Sequence, residues 1–219
     1  MVFQKNKQFL KKSVVGRHVK KEIESGLTML DSIEHNIVTV LGSHVTKHSD
    51  ADFKHCMKLC NELGKRGYAI ASGGGPGIMH AANRGAMKSG APSIGIKAGL
   101  IKNEKVPDNY FTHVASYDYL FVRRFLLSVK SDALLFYPGG YGTLNELFEY
   151  ITLIETGMAD KVPLICVNKK YWRGLFGWLK KGPLIKGMFS NGEENLKLVQ
   201  MVDDQDEIIK IIEQASREQ

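Results

Sequence analysis

The sequence predicts an α/β fold, with a doubly wound, mostly parallel sheet and helices on both faces. Apolar, β-branched runs alternate with helix-length segments along the chain, and this alternation is typical of parallel strands joined by crossover helices. Glycine-rich turns follow two of the runs and directly precede a helical segment. The 219 residues, 43% of them hydrophobic, suit one domain with a buried core.

Six short segments have the character of strands. Most are apolar at successive positions, as expected for strands buried on both faces of a parallel sheet. We predict strands at residues 36–41, 68–71, 93–96, 133–137, 162–167 and 198–202. We predict helices at residues 50–66, 77–89, 119–130, 143–156, 171–180 and 205–216. Ser49 is the predicted N-cap of the first helix, and Gly67 and Gly90 end the first and second helices.

The stretch 97–116 has no sustained periodicity and contains Gly99, Pro107 and Asn109. It is therefore predicted to be a loop, of unusual length for a compact domain. Two interpretations remain open at this point: a lid over a ligand site, or an irregular crossover packed on the sheet edge.

We divide the chain into a basic N-terminal arm, residues 1–35, whose basic residues all lie in its first 21 positions, and a domain, residues 36–219. Lys and Arg number 30 against 23 Asp and Glu, but residues 1–21 hold seven basic residues and no acid. Everything after Lys21 is therefore neutral, at 23 basic against 23 acidic residues, and a nucleic-acid partner is not expected for the domain. We favour a solvated, partly helical arm or an oligomer strap over an RNA, lipid or targeting role.

Cysteine usage and hydropathy predict a cytoplasmic protein. Cys56, Cys60 and Cys166 form no Cys-x-x-Cys pair and are interpreted as reduced thiols. No apolar run reaches the roughly 18 residues of a membrane helix, so no membrane partner is expected. The first 21 residues lack the apolar segment of a signal peptide.

Two glycine-rich loops each follow a predicted strand and open a predicted helix. Glycine lets the backbone approach an anion, and the N–H groups of the following helix point at it. Neither loop fits Walker A or GxGxxG, so a nucleoside monophosphate is favoured over a triphosphate or dinucleotide. The alternative is a tight turn that simply needs glycine. The predicted phosphate and substrate ligands are Ser72, Gly73, Gly74, Gly75, Gly77 and Met79, and Gly139, Gly140, Tyr141, Gly142 and Thr143.

One carboxylate and two arginines are the candidate catalytic groups. Glu146 is placed near the start of the predicted helix 143–156, where it is either a site residue or the N3 member of a capping box with Thr143. Arg123 and Arg124 interrupt an apolar helix, so they either reach a phosphate or carboxylate or lie on a surface edge. Glu149 is interpreted as the partner of a neighbouring basic residue.

These motifs resemble those of the LOG family, cytokinin riboside 5′-monophosphate phosphoribohydrolases also labelled lysine decarboxylases. The family pattern PGGxGTxxE is complete at residues 138–146, and SGGGPGIM from Ser72 supports it. The resemblance covers residue 36 to the C-terminus. It implies a modified Rossmann fold, a homodimer or higher homo-oligomer, and hydrolysis of the N-glycosidic bond of AMP or an N6-modified AMP. Glu146 and Arg123 would be catalytic, with no metal or other cofactor.

The sequence departs from the family pattern at two places. Arg124 stands where the family usually has lysine, and Gly42-Ser43 match the family's first loop before His44 and Val45 diverge from it. Arg124, Gly42 and Ser43 are counted among the predicted substrate ligands. The rival interpretation is a non-catalytic nucleotide or molybdenum-cofactor carrier on the same scaffold. No metal set is predicted from the four central histidines, which are His44, His48, His55 and His80.

Overall fold

The computed structural model describes residues 12–99 and 106–218. Its centre is a seven-stranded sheet, parallel throughout, with the strand order β4-β3-β2-β1-β5-β6-β7. The predicted fold class is therefore confirmed. The strands are β1 Ile37–Leu41, β2 Ala69–Ser72, β3 Ser93–Ala98, β4 His113–Tyr117, β5 Ser131–Phe136, β6 Leu164–Cys166 and β7 Val199–Met201.

Helices cover both faces of this sheet, because side chains of alternate strand residues point to opposite faces. In β1, Ile37 and Leu41 join one buried cluster, while Val38 and Val40 join the other. The described helices are α1 Lys12–Asp31, α2 Ala51–Lys65, α3 Ile78–Ser89, α4 Leu120–Ser128, α5 Tyr141–Glu155, α6 Lys169–Leu179, α7 Glu194–Lys197 and α8 Gln205–Glu218. The first cluster contains residues of α1, α4, α5 and α6, and the second contains residues of α2, α3 and α8.

The prediction of a loop over residues 97–116 is wrong at both of its ends. β3 continues to Ala98, and His113–Tyr117 form β4, which pairs in parallel with β3 at the sheet edge. Exposure alternates along β4, so this strand lacks the continuous apolar run of the central strands. Residues 100–105 lie outside the described part of the chain.

Helix ends lie within two residues of the predicted ones, and one difference matters for the site. The N-cap of α5 is Gly140, and the helix starts at Tyr141 rather than at Thr143. The N-cap of α2 is Asp50 instead of Ser49. Gly67 and Gly90 have φ of +88° and +79° and end α2 and α3 as predicted.

Part of the N-terminal arm is helical, as predicted, and one side of this helix packs against the rest of the protein while the other is exposed. Helix α1 contacts α4 and β4, and Glu22 and Leu30 on it are buried. Residues 1–11 of the arm lie outside the described residues. Among the helices that the structure describes, none combines the length and the apolar character needed to span a bilayer.

Candidate functional site

Three loops meet at the carboxyl edge of neighbouring strands β2, β1 and β5. The Ser43 N–H donates to the Pro138 carbonyl at 3.0 Å, and the Ile78 N–H donates to the Ser43 carbonyl at 3.0 Å. The loop after β1 is thus bonded on one side to the loop after β5 and on the other to the start of α3. The two predicted glycine loops and Gly42-Ser43 therefore belong to one region.

The glycines of the first loop are required by the fold itself. Gly74 and Gly77 both have φ of +67°, a conformation that other residues adopt at a cost. A Cβ at Gly77 would overlap the Ser43 carbonyl, and one at Gly73 would overlap the Arg123 guanidinium. At Gly42, a Cβ would lie 2.8 Å from Ile78 Cγ2. Tight packing accounts for glycine at these four positions without a ligand.

The Ser72 side chain forms hydrogen bonds within the protein. It is fully buried, its hydroxyl donates to the Asn83 side-chain oxygen, and its oxygen accepts the Gly74 N–H at 3.0 Å. The Asn83 amide nitrogen continues this network to Ser93 Oγ at 2.9 Å and to the Ile94 carbonyl at 3.1 Å. Gly75 and Met79 are also buried. In this structure Ser72 fixes the shape of the loop.

The second glycine loop is exposed and differs from the first in what its glycines require. Gly139 is needed, because a Cβ there would overlap the buried Thr143 side chain. At Gly140 and Gly142, by contrast, a Cβ would meet no described atom within 4 Å, and neither φ is positive. Tyr141 between them is 94% exposed. The fold therefore has room for a larger side chain at both positions, and glycine there keeps the start of α5 uncovered.

The N-terminus of α5 begins at this exposed loop. The first N–H groups of a helix have no acceptor within the helix, and the helix dipole adds positive potential there. Gly140 and Gly142 leave that end open to a close approach by an anion. A hydrogen bond from α6 fixes this loop: the Tyr171 hydroxyl donates to the Gly139 carbonyl at 2.5 Å.

Arg123 links α4 to the first glycine loop. Its Nε donates to the Ile96 carbonyl at 2.8 Å and its Nη2 donates to the Gly73 carbonyl at 3.3 Å. These two bonds use two of the five N–H donors of a guanidinium. The interpretation of Arg123 as a surface residue on a helix edge is wrong, because its guanidinium reaches the carboxyl ends of β2 and β3.

Glu146 is a buried carboxyl, 8% exposed, one turn further into α5 than the capping-box alternative requires. With Gly140 as N-cap, Thr143 is the N3 residue and Glu146 is the sixth residue of the helix, so the two do not form a capping box. Burial raises the pKa of Glu146 to about 7, against the lowering effect of Arg123 and Arg124 and with a further increase from Glu149. The carboxyl can exchange a proton near neutral pH.

Arg124 pairs with Glu149, as predicted for that carboxylate. The Arg124 Nε lies 2.6 Å from Glu149 Oε2, with the two side chains 28% and 35% exposed. The Arg124 carbonyl accepts the Tyr150 hydroxyl at 3.3 Å. The guanidinium of Arg124 is thus tied to α5 beside Glu146, and its role as a substrate ligand stays a prediction.

Three residues that frame the site were not identified from the sequence. Asn83 and Tyr171 hold the two loops as described above, and Lys97 lies over Gly74, where a Cβ would be 2.6 Å from Lys97 Cγ. Lys97 Nζ also lies 4.6 Å from the centroid of the Phe111 ring. No spacing rule pairs these residues with the loops, because the contacts join distant parts of the chain.

Metal-ligating side chains come together at one place in the described chain. Ligand atoms of His18, Glu22 and Asp118 lie within 4.8 Å of one another. The Glu22 carboxylate already accepts the backbone N–H groups of Asp118 and Tyr119. Bonds within the chain thus account for its position, and we assign no metal here.

The fold and the site together define a class of protein. Its members are parallel α/β proteins in which a helix with an open N-terminus carries a buried carboxyl, and two arginines lie near that carboxyl. A family described as "Possible lysine decarboxylase" matches residues 79–212. The chain is 30% identical over 155 residues to the cytokinin riboside 5′-monophosphate phosphoribohydrolase of Mycobacterium tuberculosis, covering 68% of this chain and 82% of that protein. The chain belongs to this family, the LOG family.

Two further similarities are more distant. It is 28% identical over 126 residues to the cytokinin riboside 5′-monophosphate phosphoribohydrolase LOG1 of Arabidopsis thaliana, and the match spans 57% of this chain but only 59% of that protein. The Moco carrier protein of Chlamydomonas reinhardtii superposes with a TM-score of 0.60 at 19% identity, over 85% of this chain and 100% of that one. The latter similarity is one of fold.

Proposed function

We propose that the protein hydrolyses the N-glycosidic bond of a purine nucleoside 5′-monophosphate, AMP or an N6-modified AMP, to the free base and ribose 5-phosphate. The observation that carries this proposal is the buried Glu146 carboxyl, whose pKa is influenced by Arg123. It lies in the second turn of α5, the helix whose N-terminus Gly140 and Gly142 leave open. The relatives named as phosphoribohydrolases of cytokinin riboside monophosphates support the same substrate class.

Substrate binding is assigned to the N-terminus of α5 and to the arginine. The 5′-phosphate takes the open N–H groups at Gly140–Thr143, where the helix dipole favours an anion. Arg123 contributes the N–H donors that its bonds to Ile96 and Gly73 leave over, directed at the phosphate or ribose. Because the phosphate carries much of the binding energy in this scheme, nucleosides without it are expected to be poor substrates.

Glu146 provides the chemistry at the ribose C1′. As the bond from C1′ to the base nitrogen breaks, positive charge builds up on the ribose, and an ionised carboxylate stabilises it. The same carboxylate takes a proton from a water molecule whose oxygen bonds to C1′. Glu146 then passes this proton to the departing base nitrogen, which leaves as N–H. One water molecule is consumed, and the carboxylate is ionised again. The ionised form is needed, so kcat/KM is expected to rise with pH as Glu146 loses its proton.

The test is release of free base from AMP and N6-isopentenyl-AMP, with adenosine and N6-isopentenyladenosine as controls. We expect release from the monophosphates only. Glu146→Ala should keep AMP binding and lose most turnover, by about a hundredfold or more for a group that transfers a proton. Turnover unaffected by this substitution would refute the mechanism. Binding of AMP without any release by the wild-type protein would support the carrier interpretation.

We further propose that the protein works as a homodimer or a larger assembly of dimers in the cytoplasm. Large apolar side chains of α4 are exposed to solvent and would be covered by a second copy. The three cysteines are free and buried, which suits a reducing compartment. The solution mass of the protein tests the assembly.

A further inference from the structure

Helix α1 packs closely on α4, the helix that carries Arg123. At the crossing, a Cβ on Gly26 would lie 2.6 Å from Leu126 Cδ2, so the two helices approach as near as a glycine allows. Leu30, only 2% exposed, anchors the end of α1 in the core. The first helix is thus a fixed support for α4.

A buried carboxylate makes the polar contact between these helices. Glu22 is 8% exposed, and it accepts the backbone N–H groups of Asp118 at 2.8 Å and Tyr119 at 3.4 Å. Helix α4 has no acidic residue in its own first turn, and its N-cap, Tyr119, makes no side-chain capping bond. Glu22 therefore supplies from α1 the negative charge that a helix N-terminus favours.

One residue connects this carboxylate to Arg123. The Tyr119 N–H is bound by Glu22, and the Tyr119 carbonyl accepts the Arg123 N–H at 3.0 Å. Beyond that turn, the Arg123 guanidinium reaches the Ile96 and Gly73 carbonyls. A shift in the first turn of α4 would therefore move the guanidinium relative to Glu146.

We propose that Glu22 is a positioning residue that fixes the first turn of α4 and thereby directs Arg123 towards Glu146 and the substrate. The inference rests on the proposed hydrolase function, in which Arg123 and Glu146 act together. Glu22 lies outside residues 79–212, which match the family, and it acts through the backbone of α4. Misplacement of a reacting group by about 1 Å costs about a hundredfold in rate.

The experiment compares Glu22→Ala, Glu22→Gln and the control Glu24→Ala in the full-length protein. Glutamine keeps one acceptor oxygen and nearly the same shape, so it also covers the case in which alanine prevents folding. Glu24 lies on the same helix, 63% exposed, 3.5 Å from Lys20. We expect kcat/KM for AMP to fall about ten- to a hundredfold in Glu22→Ala and less in Glu22→Gln. Glu24→Ala should match the wild type.

A second readout separates positioning from mere stability. Arg123 lowers the pKa of Glu146, as does Arg124, while Glu149 raises it, so a displaced Arg123 should let that pKa rise. The pKa is measured by ¹³C NMR of labelled glutamate, assigned with Glu146→Gln, and Arg123→Ala gives the limiting value. We expect a higher pKa in Glu22→Ala than in the wild type, and an intermediate one in Glu22→Gln.

The outcomes are distinguishable from those of the hydrolase test. A lower Tm in Glu22→Ala, with kcat/KM and the Glu146 pKa both as in the wild type, would overturn the inference and leave Glu22 a structural cap. If the wild-type protein releases no base at all, the hydrolase proposal fails. The pKa series then decides about Glu22 on its own, since it needs no turnover.

Discussion

The burial of Glu146 lowers the stability of the folded protein at neutral pH, and it also gives this carboxyl a pKa suited to proton transfer. Burial raises its pKa to about 7 from an ordinary value of 4.5, so the folded state binds a proton that the unfolded chain has released between these two values. By linkage, stability falls as pH rises through this window, by an amount of order 3 kcal/mol. This loss of stability is complete above about pH 7, and there is no loss below about pH 4.

The Glu146→Gln variant tests this sign directly, because glutamine is neutral like the protonated acid. We expect its Tm to equal that of the wild type near pH 4 and to exceed it by several degrees at pH 8. Thermal unfolding across this range measures the difference, with Glu193→Gln as an exposed control that should follow the wild type. A constant Tm difference across the range would show that Glu146 is not held protonated by burial.

At the level of helices and strands, sequence reasoning was most accurate where a strand forms an apolar run. β1 was predictable because both of its faces are covered, which makes it apolar at successive positions. β4 alternates in exposure and contains the polar residues His113 and Ser116, so it has no apolar run to indicate a strand. β7 is also an edge strand, and it agrees with the prediction over residues 198–202. The glycine loops could be found from their composition, but the different roles of their glycines could not. What excludes a Cβ at Gly73 is Arg123, which lies 50 positions away.

A substitution at the start of α5 distinguishes an effect on stability from an effect on ligand binding. Gly142→Ala should leave stability unchanged or raise it by up to about 1 kcal/mol, because alanine is the better helix residue and meets no described atom within 4 Å. AMP affinity should nevertheless fall at least about tenfold, since the added methyl group obstructs the approach of the phosphate to the helix N-terminus. Calorimetric titration and denaturant unfolding measure the two effects.

Gly174→Ala is the matched control for this substitution. Gly174 lies within α6, and a Cβ there also meets no described atom within 4 Å, so its effect on stability should be similar. AMP affinity should not change in this variant. Wild-type AMP affinity in Gly142→Ala would mean that the open end of α5 is not where the phosphate binds.

For the molecule as a whole, the exposed side of α4 predicts how copies associate. Phe121, Phe125 and Val129 are 51%, 40% and 42% exposed, and their spacing of four residues places them on one face of the helix. Val122 and Leu126, which follow Phe121 and Phe125 along the helix, are buried in the core. An apolar stripe of this kind on a protein surface is typical of an interface between subunits.

Phe121→Asp should therefore convert a dimer into a monomer, because it would bury an unpaired charge at the interface. Light scattering coupled to size-exclusion chromatography measures the mass, and Ile185→Asp, at a position 76% exposed beyond α6, should leave it unchanged. A wild-type protein that is monomeric at micromolar concentration would contradict the prediction. Because Arg123 lies on the same helix, loss of the dimer should also lower kcat/KM, which links the assembly to the site.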